Sequence, residues 1–502
     1  MEVDMGVDKP DRDTDRRTRP PARRLLLAML VAALVLAGAV VTAGSSQADL
    51  SLGGVPRATC AVGDPVETGV QGRVPTADYA SGRARQGYRC NTVQVGHHGK
   101  RSILGSGGYK VQRYTDVTGR TCAYYDSALM AGLNLPGLLT GGAGLGVVVL
   151  DMTDPANPVR TANLVTPAML QPHESLLVNE ERGLLAAVLG TLATAPGVLD
   201  VYDISQDCRK PRLRSTTLSG VMGHESGFSP DGRTFWTAGA AGFTLTAVDL
   251  TEPRRPRILH TRTGVVYHGL RLSDDGRTMY VANIGSPSVL TGGLLDGAGL
   301  DILDVSDIQD RRPKPAIRTL SRLTWEEPSI PQVAEPFSSG GRQYVLEVDE
   351  FSDLFGDFTR INSPKSPVGA ARIIDVTDPR APVVVSNLRL EVHDPLVRGE
   401  VMADPGARMI VRSYTGHYCS VPTRDDPKIA GCSMIGSGLR LFDISDVTRP
   451  REVGYFNQPG PNGGAALSQP AWDVERGQVW YTDMDEGFYA VGLRGAAAAL
   501  LP

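Results

Sequence analysis

Short apolar stretches recur along the chain, and each of them ends in the same polar phrase. The phrase is an aspartate, an apolar residue, a serine or threonine and, a few residues later, a proline; its first copy is VVVLDMTDPANPV, ending at Val159. Short runs of this kind, bounded by turn residues, are typical of β-strands. The aspartates of the six clear copies are Asp151, Asp203, Asp249, Asp304, Asp375 and Asp443.

The third copy shows what one repeat contains. Four short runs with strand character lie at 224–229, 234–238, 243–250 and 256–263, and the sequence PDGR at 230–233 supplies a tight turn between the first two. Successive aspartates are separated by 46 to 71 residues, a period typical of solenoids, propellers and arrays. Four antiparallel strands in each repeat favour the blade of a propeller.

A seventh and weaker copy of the phrase lies at 487–493, with Gly492 in the position of the aspartate. Three strands are recognisable in that repeat, and the run at 90–96 resembles the fourth strand at 452–456. We therefore predict an all-β fold, a seven-bladed β-propeller closed by an N-terminal strand, since closure protects the sheet edges.

The repeated aspartate has an expected structural role. It ends the third strand, where its carboxylate can accept backbone N–H bonds of the following turn, as can the serine or threonine two residues later. The proline then begins the outermost strand, where a missing N–H donor is tolerated. We expect replacement of Asp375 to lower stability without affecting a ligand site.

The third-strand phrase resembles the LVIVD repeat of bacterial exported and surface β-propeller proteins. The runs at 147–151 and 372–376, each followed by Thr-Asp-Pro, carry the resemblance, which covers roughly residues 145–455. It implies the propeller fold and an envelope or extracellular location. It implies no particular activity, because that family has no shared one.

The N-terminal region has the pattern of an export signal. Arg23 and Arg24 precede an apolar run at 25–43, and small residues dominate 37–48. A cleaved signal peptide and an uncleaved membrane anchor both fit this pattern, and the small residues favour cleavage. The predicted organisation is a signal peptide or anchor at 1–48, an irregular lead-in at 49–87, the propeller at 88–495 and a C-terminal tail at 496–502.

The charge balance and the cysteines narrow the setting. Among 502 residues, 51 lysines and arginines face 55 aspartates and glutamates, whereas a nucleic-acid partner would require a basic surface. We expect a monomer that binds an unknown protein or surface ligand and contacts a membrane only through the N-terminal anchor.

Six cysteines fit an oxidising compartment. Fifteen pairings are open, of which we favour Cys419 with Cys432, Cys60 with Cys90, and Cys122 with Cys208.

Three of the eight histidines occupy equivalent positions. His173, His224 and His268 begin the first strands of successive repeats, and Glu174 and Glu225 follow two of them. The first strand of a propeller blade is innermost, so these imidazoles are expected to converge at the mouth of the central channel. Three histidines and a carboxylate suit zinc, copper, manganese or iron. Alternatively, each histidine bonds channel water or a loop carbonyl, and the two glutamates point away.

Other polar residues are expected on the same face. Alignment of the repeats places Arg398 at the start of the innermost strand of the sixth blade, and the second strands end near Asp126, Asp349, Glu350 and Asp483. His97 and His98 could join this face, His260 and His393 are expected at the surface, and His417 carries no signal. Long loops are predicted at 127–144, 285–299, 351–369 and 415–438.

Two functional hypotheses follow. Long loops on one face usually form a binding surface, so the first is an exported, non-enzymatic scaffold that binds a protein or cell-surface ligand. The second is a metal-dependent enzyme, an oxidoreductase or a hydrolase, with His173, His224 and His268 as ligands of a divalent ion. Glu174, Glu225 or Asp349 would be its base or fourth ligand, and metal analysis distinguishes the two.

Overall fold

The computed structural model describes residues 53–99, 106–127, 145–190, 197–218, 223–239, 243–285, 297–325, 330–350, 368–407, 413–460 and 463–502. Strands in these residues form seven antiparallel sheets, one after another along the chain. The predicted all-β, seven-bladed propeller is confirmed.

The strands are numbered along the chain, and each blade begins with its innermost strand. Strands β1 (Tyr88–Cys90) and β2 (Thr92–His98) precede the first blade. Blade one consists of β3 (Val111–Thr115), β4 (Thr121–Asp126), β5 (Val147–Asp151) and β6 (Val159–Leu164). Blade two consists of β7 (Leu177–Asn179), β8 (Leu184–Val188), β9 (Val198–Asp203) and β10 (Arg212–Leu218). Blade three consists of β11 (Glu225–Phe228), β12 (Thr234–Gly239), β13 (Thr244–Asp249) and β14 (Arg257–Thr263). Blade four consists of β15 (Tyr267–Leu272), β16 (Thr278–Asn283), β17 (Gly299–Asp304) and β18 (Arg318–Thr324).

The remaining blades differ in their outer strands. Blade five consists of β19 (Ile330–Ser339), β20 (Arg342–Glu350), β21 (Ala371–Asp375) and β22 (Val383–Asn387). Blade six contains β23 (Tyr418–Ser420), β24 (Ile429–Ser433), β25 (Leu439–Asp443) and β26 (Arg451–Asn457). Blade seven contains β27 (Ala471–Asp473), β28 (Gln478–Asp483) and β29 (Gly487–Leu493). Strand β1 pairs with β26 as a fifth strand, and β2 pairs antiparallel with β29 as the outer strand of blade seven.

Helices are short. They are α1 (Thr76–Ser81), α2 (Pro167–Leu170), α3 (Ser306–Gln309), α4 (Pro395–Val401) and α5 (Gly495–Ala498), with 3-10 turns at Arg83–Gln86, Glu391–His393, Pro405–Ala407 and Val474–Arg476. Within the described part of the chain, no helix combines the length and hydrophobicity needed to span a membrane. The predicted apolar segment at 25–43 lies outside the described residues.

The hydrophobic core lies between neighbouring blades. Tyr124 and Val149 of blade one, for example, are fully buried in one cluster with Leu185 of blade two. Outer strand β6 is more exposed, with three exposed residues at its start. Burial of both faces of the second and third strands thus joins the separate sheets into one body.

The repeated phrase forms the turn that its sequence predicts. Each of the six aspartates accepts the backbone N–H of the serine or threonine two residues later, at 2.9 to 3.0 Å. Each aspartate also pairs with an arginine, respectively Arg209, Arg214, Arg257, Arg318, Arg342 and Arg451. The phrase therefore stabilises the return from the third strand to the fourth.

Blade six corrects three sequence predictions. Its innermost strand begins at Tyr418, so Arg398 is not at the start of that strand but on helix α4 in the connection from blade five. The predicted loop at 415–438 is instead the hairpin of β23 and β24. His393 is 1% exposed rather than at the surface, because the same connection buries it.

Three disulfides join the predicted pairs. Cys60 bonds to Cys90, Cys122 to Cys208 and Cys419 to Cys432, and no cysteine among the described residues is free. Cys419 and Cys432 face each other across the β23–β24 hairpin. Three disulfides in one chain point to an oxidising environment, extracellular or periplasmic.

The turn phrase predicts the effect of replacing Asp375 by alanine. Loss of its bonds to the Thr377 N–H and to Arg342 should lower the free energy of unfolding by about 1–2 kcal/mol. Burial opposes the charge of Asp375, but these partners outweigh it and lower its pKa. The difference from wild type should therefore be full above the unfolded pKa of about 3.9 and vanish as the pH falls. Urea unfolding at several pH values, with exposed Glu475→Ala as control, measures this; equal midpoints would contradict it.

The disulfides are expected to differ in their effect on stability. Cys122 and Cys208 enclose a sequence separation of 86 residues, and Cys419 and Cys432 one of 13. The chain-entropy relation assigns about 4–5 kcal/mol to the first and about 3 kcal/mol to the second. Thermal unfolding of the two Cys→Ser double variants should show the larger loss for Cys122/Cys208, and the reverse order would refute the entropic account.

Candidate metal centre at the channel entrance

Four imidazoles converge where the innermost strands begin, which we call the channel entrance. They belong to His173, His224, His268 and His417, from blades two, three, four and six. The three predicted histidines are thus brought together, and His417, to which the sequence assigned no role, joins them. The Nε2 atoms of His224 and His268 are 2.9 Å apart.

Glu174 lies in the middle of the four imidazoles. Its Oε2 atom is 3.2 Å from Nε2 of His224 and 3.1 Å from Nε2 of His268. Its Oε1 atom is 3.5 Å from Nε2 of His417 and 4.0 Å from Nε2 of His173. Each carboxylate oxygen therefore faces a different pair of histidines.

A second buried carboxylate comes from Glu350, the last described residue of β20. Its Oε2 is 3.2 Å from Nε2 of His417, and its Oε1 is 3.6 Å from Nε2 of His268. Side chains alternate along a strand, so the preceding Asp349 points elsewhere and pairs with buried Arg372 at 2.8 Å. The structure therefore places Glu350, and not Asp349, among the histidines.

Backbone carbonyls orient two of the rings. Nδ1 of His268 is 3.0 Å from the carbonyl of Pro331, and Nδ1 of His417 bonds to the carbonyl of Leu467. A carbonyl only accepts, so each Nδ1–H donates, and Nε2 is left to face the centre. This arrangement is common for histidines that bind metals.

His173 reaches the centre from a strained backbone. Its φ is 51°, in the left-handed region that is uncommon for residues other than glycine. Its ring packs against His224, with ring centroids 4.4 Å apart, and against Tyr109, at 4.2 Å. Backbone strain of this kind is concentrated at functional sites.

The electrostatics of the cluster depend on the two glutamates. Within the described residues, neither Glu174 nor Glu350 forms an ion pair with a lysine or arginine. Burial opposes protonation of His268 and His417, but the two carboxylates outweigh it and raise the pKa of each to about 9. Burial likewise disfavours the charged Glu174, but the surrounding imidazoles hold its pKa well below the usual value.

The distances fit the ligands of one metal ion. Ligand atoms about 2.1 Å from an ion lie about 3.0 Å apart at a right angle and about 3.4 Å apart at a tetrahedral angle. The triangle of His224 Nε2, His268 Nε2 and Glu174 Oε2 has sides of 2.9, 3.2 and 3.1 Å. Nitrogen-rich donors with carboxylates suit zinc, manganese, iron or copper.

A second polar layer lies further along the innermost strands. Glu225, which the sequence placed with the histidines, is here: it pairs with Lys110 at 3.0 Å and Arg271 at 3.1 Å and accepts from Tyr418. Arg271 also pairs with Glu335 at 3.0 Å. The cations and carboxylates of this layer balance each other's charges through ion pairs, so the layer fills the channel without a ligand.

The other predicted pocket residues have structural contacts. Asp126 accepts the N–H groups of Tyr109 and Lys110, and Asp483 accepts that of Ala465. Burial raises the pKa of both aspartates to about 7. They hold the segments that lead into the innermost strands and do not contact the imidazoles.

The outer histidines lie elsewhere. His97 and His98 are on the outer strand β2, where His97 bonds to the carbonyl of Glu486 and His98 to the hydroxyl of Tyr125. Of the four predicted long loops, three fall largely outside the described residues. The sequence offered one neglected signal for His417, which directly precedes the Tyr-Cys of a cross-strand disulfide.

Comparisons with known proteins identify the fold and no family. No family model matches the sequence, and no curated protein matches it. The chain is similar to the 6-phosphogluconolactonase-like protein of Bacteroides uniformis, with a TM-score of 0.50 and 14% identity over 72% of this chain and 92% of that one. The periplasmic gluconolactonase of Pseudomonas aeruginosa gives 0.49 and 14% over 72% and 91%. At such identities the likeness shows the propeller fold alone, and the LVIVD resemblance stays a prediction.

The second layer predicts the effect of Glu225→Gln. The substitution leaves Lys110 and Arg271 buried with less negative charge, which typically costs about 3–5 kcal/mol. Urea unfolding measures the loss, with the exposed Glu181→Gln as the matched control, expected to change stability by less than about 0.5 kcal/mol. Similar stability of the two variants would show that the layer is not held by Glu225.

Proposed function

We propose that this chain is an exported metalloenzyme whose divalent transition-metal ion is held at the channel entrance. The observation that carries the proposal is the convergence of His224 Nε2, His268 Nε2 and Glu174 Oε2 to separations of 2.9 to 3.2 Å. These separations match the ligand spacing of one ion. The two imidazole nitrogens are also at hydrogen-bond distance from each other, so the proposal rests on the third donor, Glu174 Oε2, which lies equally close to both.

The charge of the cluster supports the same proposal. Glu174 and Glu350 contribute two negative charges in a buried site, and buried charges are usually paired or coordinate metals. A divalent cation would offset this negative charge in place of protons on the imidazoles. The second layer, by contrast, already contains its own lysine and arginines.

The surrounding residues have separate tasks in this proposal. His224, His268 and Glu174 hold the ion, with His173 and His417 beside them, and the carbonyls of Pro331 and Leu467 fix two of the rings. Tyr109 packs against His173 and His417 and limits access of water from that side. Burial raises the pKa of Tyr109 well above its usual value, so its hydroxyl stays protonated.

The ion, when bound, supplies a Lewis acid that polarises a substrate oxygen or lowers the pKa of a bound water. Its identity decides the reaction class. Zinc has no redox chemistry and would act as a Lewis acid, as in hydrolysis, whereas iron or copper would add redox chemistry.

The cellular setting belongs to the same proposal. The three disulfides support a location outside the cytoplasm, and export would use the N-terminal segment at 1–48 as a cleaved signal or an anchor. The scaffold hypothesis rests on long loops that lie largely outside the described residues. We place the metalloenzyme first because of the converging donor atoms at the channel entrance.

Metal content of the purified full chain tests the proposal. Elemental analysis should find a stoichiometric transition metal in wild type. His224→Ala and His268→Ala should each lower the affinity of this position for the metal by at least about tenfold, because even loss of an outer-shell partner costs about 10–100-fold. His260→Ala is the matched control, because His260 lies on outer strand β14 and should leave the metal in place.

Two outcomes would contradict the proposal. One is the absence of metal from wild type after purification without chelators and after incubation with zinc, manganese, iron(II) or copper(II). The other is full metal retention in the doubly substituted His224→Ala/His268→Ala chain, with circular dichroism showing that it is folded.

A further inference from the structure

Glu174 presents its two oxygens to two separate ligand sets. Oε2 faces His224 and His268 at 3.2 and 3.1 Å. Oε1 faces His417 at 3.5 Å, and the same Nε2 atom of His417 is 3.2 Å from Oε2 of Glu350. The donor atoms of Glu174, Glu350 and His417 all lie within 4.8 Å of one another.

The second set also has the spacing of ligands around one ion. Two of its separations, 3.2 and 3.5 Å, are close to the tetrahedral spacing of about 3.4 Å, and all its donor atoms lie within 4.8 Å of one another. It contains one imidazole and two carboxylates, all buried. Oxygen-rich donors of this kind favour manganese, iron(II) or zinc.

We propose that the centre holds two divalent ions, with the carboxylate of Glu174 as the bridge between them. The first ion is bound by Glu174 Oε2, His224 and His268, and the second by Glu174 Oε1, Glu350 and His417. Carboxylate-bridged pairs of this kind hold their ions about 3.5–4 Å apart and clamp both oxygens of a reacting group.

This inference rests on the proposed metal centre and specifies its nuclearity. Glu350 distinguishes the second ion position from the first. Its Oε2 lies 3.2 Å from Nε2 of His417 in the second set, whereas its Oε1 lies 3.6 Å from Nε2 of His268 in the first set. Removing its charge should therefore empty the second position and leave the first occupied.

Manganese is the probe for this test, because two bridged Mn²⁺ ions are magnetically coupled and a single ion gives an isolated six-line spectrum. The full chain is stripped with chelator and dialysed against MnCl₂, and bound manganese and its electron paramagnetic resonance spectrum are measured. Wild type should bind about two ions per chain with a coupled spectrum. Glu350→Gln and His417→Ala should each bind about one, with the isolated spectrum.

The exposed Glu475→Gln is the control and should keep two coupled ions, and circular dichroism verifies that every variant is folded. One ion with an isolated spectrum in wild type would overturn the two-ion centre while leaving the proposed metalloenzyme intact. Two coupled ions in both Glu350→Gln and His417→Ala would overturn the assignment of the second ligand set. No bound manganese, iron(II) or zinc in wild type would overturn the inference and the proposed function together.

Discussion

Two buried carboxylates at the channel entrance, Glu174 and Glu350, impose the constraint on which the centre depends. A carboxylate taken out of water must be neutralised or matched by positive charge. Within the described residues, no lysine or arginine forms an ion pair with either of them, and their basic neighbours within 4.0 Å are imidazoles. Imidazoles compensate a carboxylate by taking up a proton or by sharing a metal ion. The proposed function follows from the second possibility.

The second polar layer, which contains Glu225, balances its buried carboxylates in a different way. There Glu225 is matched by Lys110 and Arg271, and Glu335 by Arg271 and Arg424. Lys110, Glu225 and Arg271 are as buried as the histidine cluster, yet their charges are balanced within the chain. The second layer is thus balanced by lysine and arginine, whereas the carboxylates at the channel entrance face imidazoles that take up protons or share a metal ion. The proposed metal centre rests on this contrast.

The rest of the propeller serves to hold these groups in position. The four histidines come from four blades, so their spacing depends on the packing between blades and on the turns that end each third strand. The repeated aspartate fixes those turns. A disulfide ties blade one to the turn after the third strand of blade two, and another closes the hairpin that follows His417. The repeated phrase therefore acts on the centre only through the architecture.

Local sequence signals were sufficient for the architecture and for half of the centre. The turn phrase recurs with its own hydrogen bonds, so the blades and the equivalent positions of His173, His224 and His268 could be predicted. His417 could not, because the long connection that contains helix α4 shifts the start of blade six, and the alignment placed Arg398 there instead. The choice between Asp349 and Glu350 depends on which side of strand β20 faces the channel. That is a tertiary property that the pattern of the strand does not contain.

Anomalous X-ray diffraction from crystals of the purified chain, recorded at the absorption edge of its bound metal, tests the central claim most directly. We expect an anomalous peak about 2.1 Å from Nε2 of His224, Nε2 of His268 and Oε2 of Glu174. An anomalous peak bound only by other residues, with these three side chains free of metal in the same crystal, would contradict it.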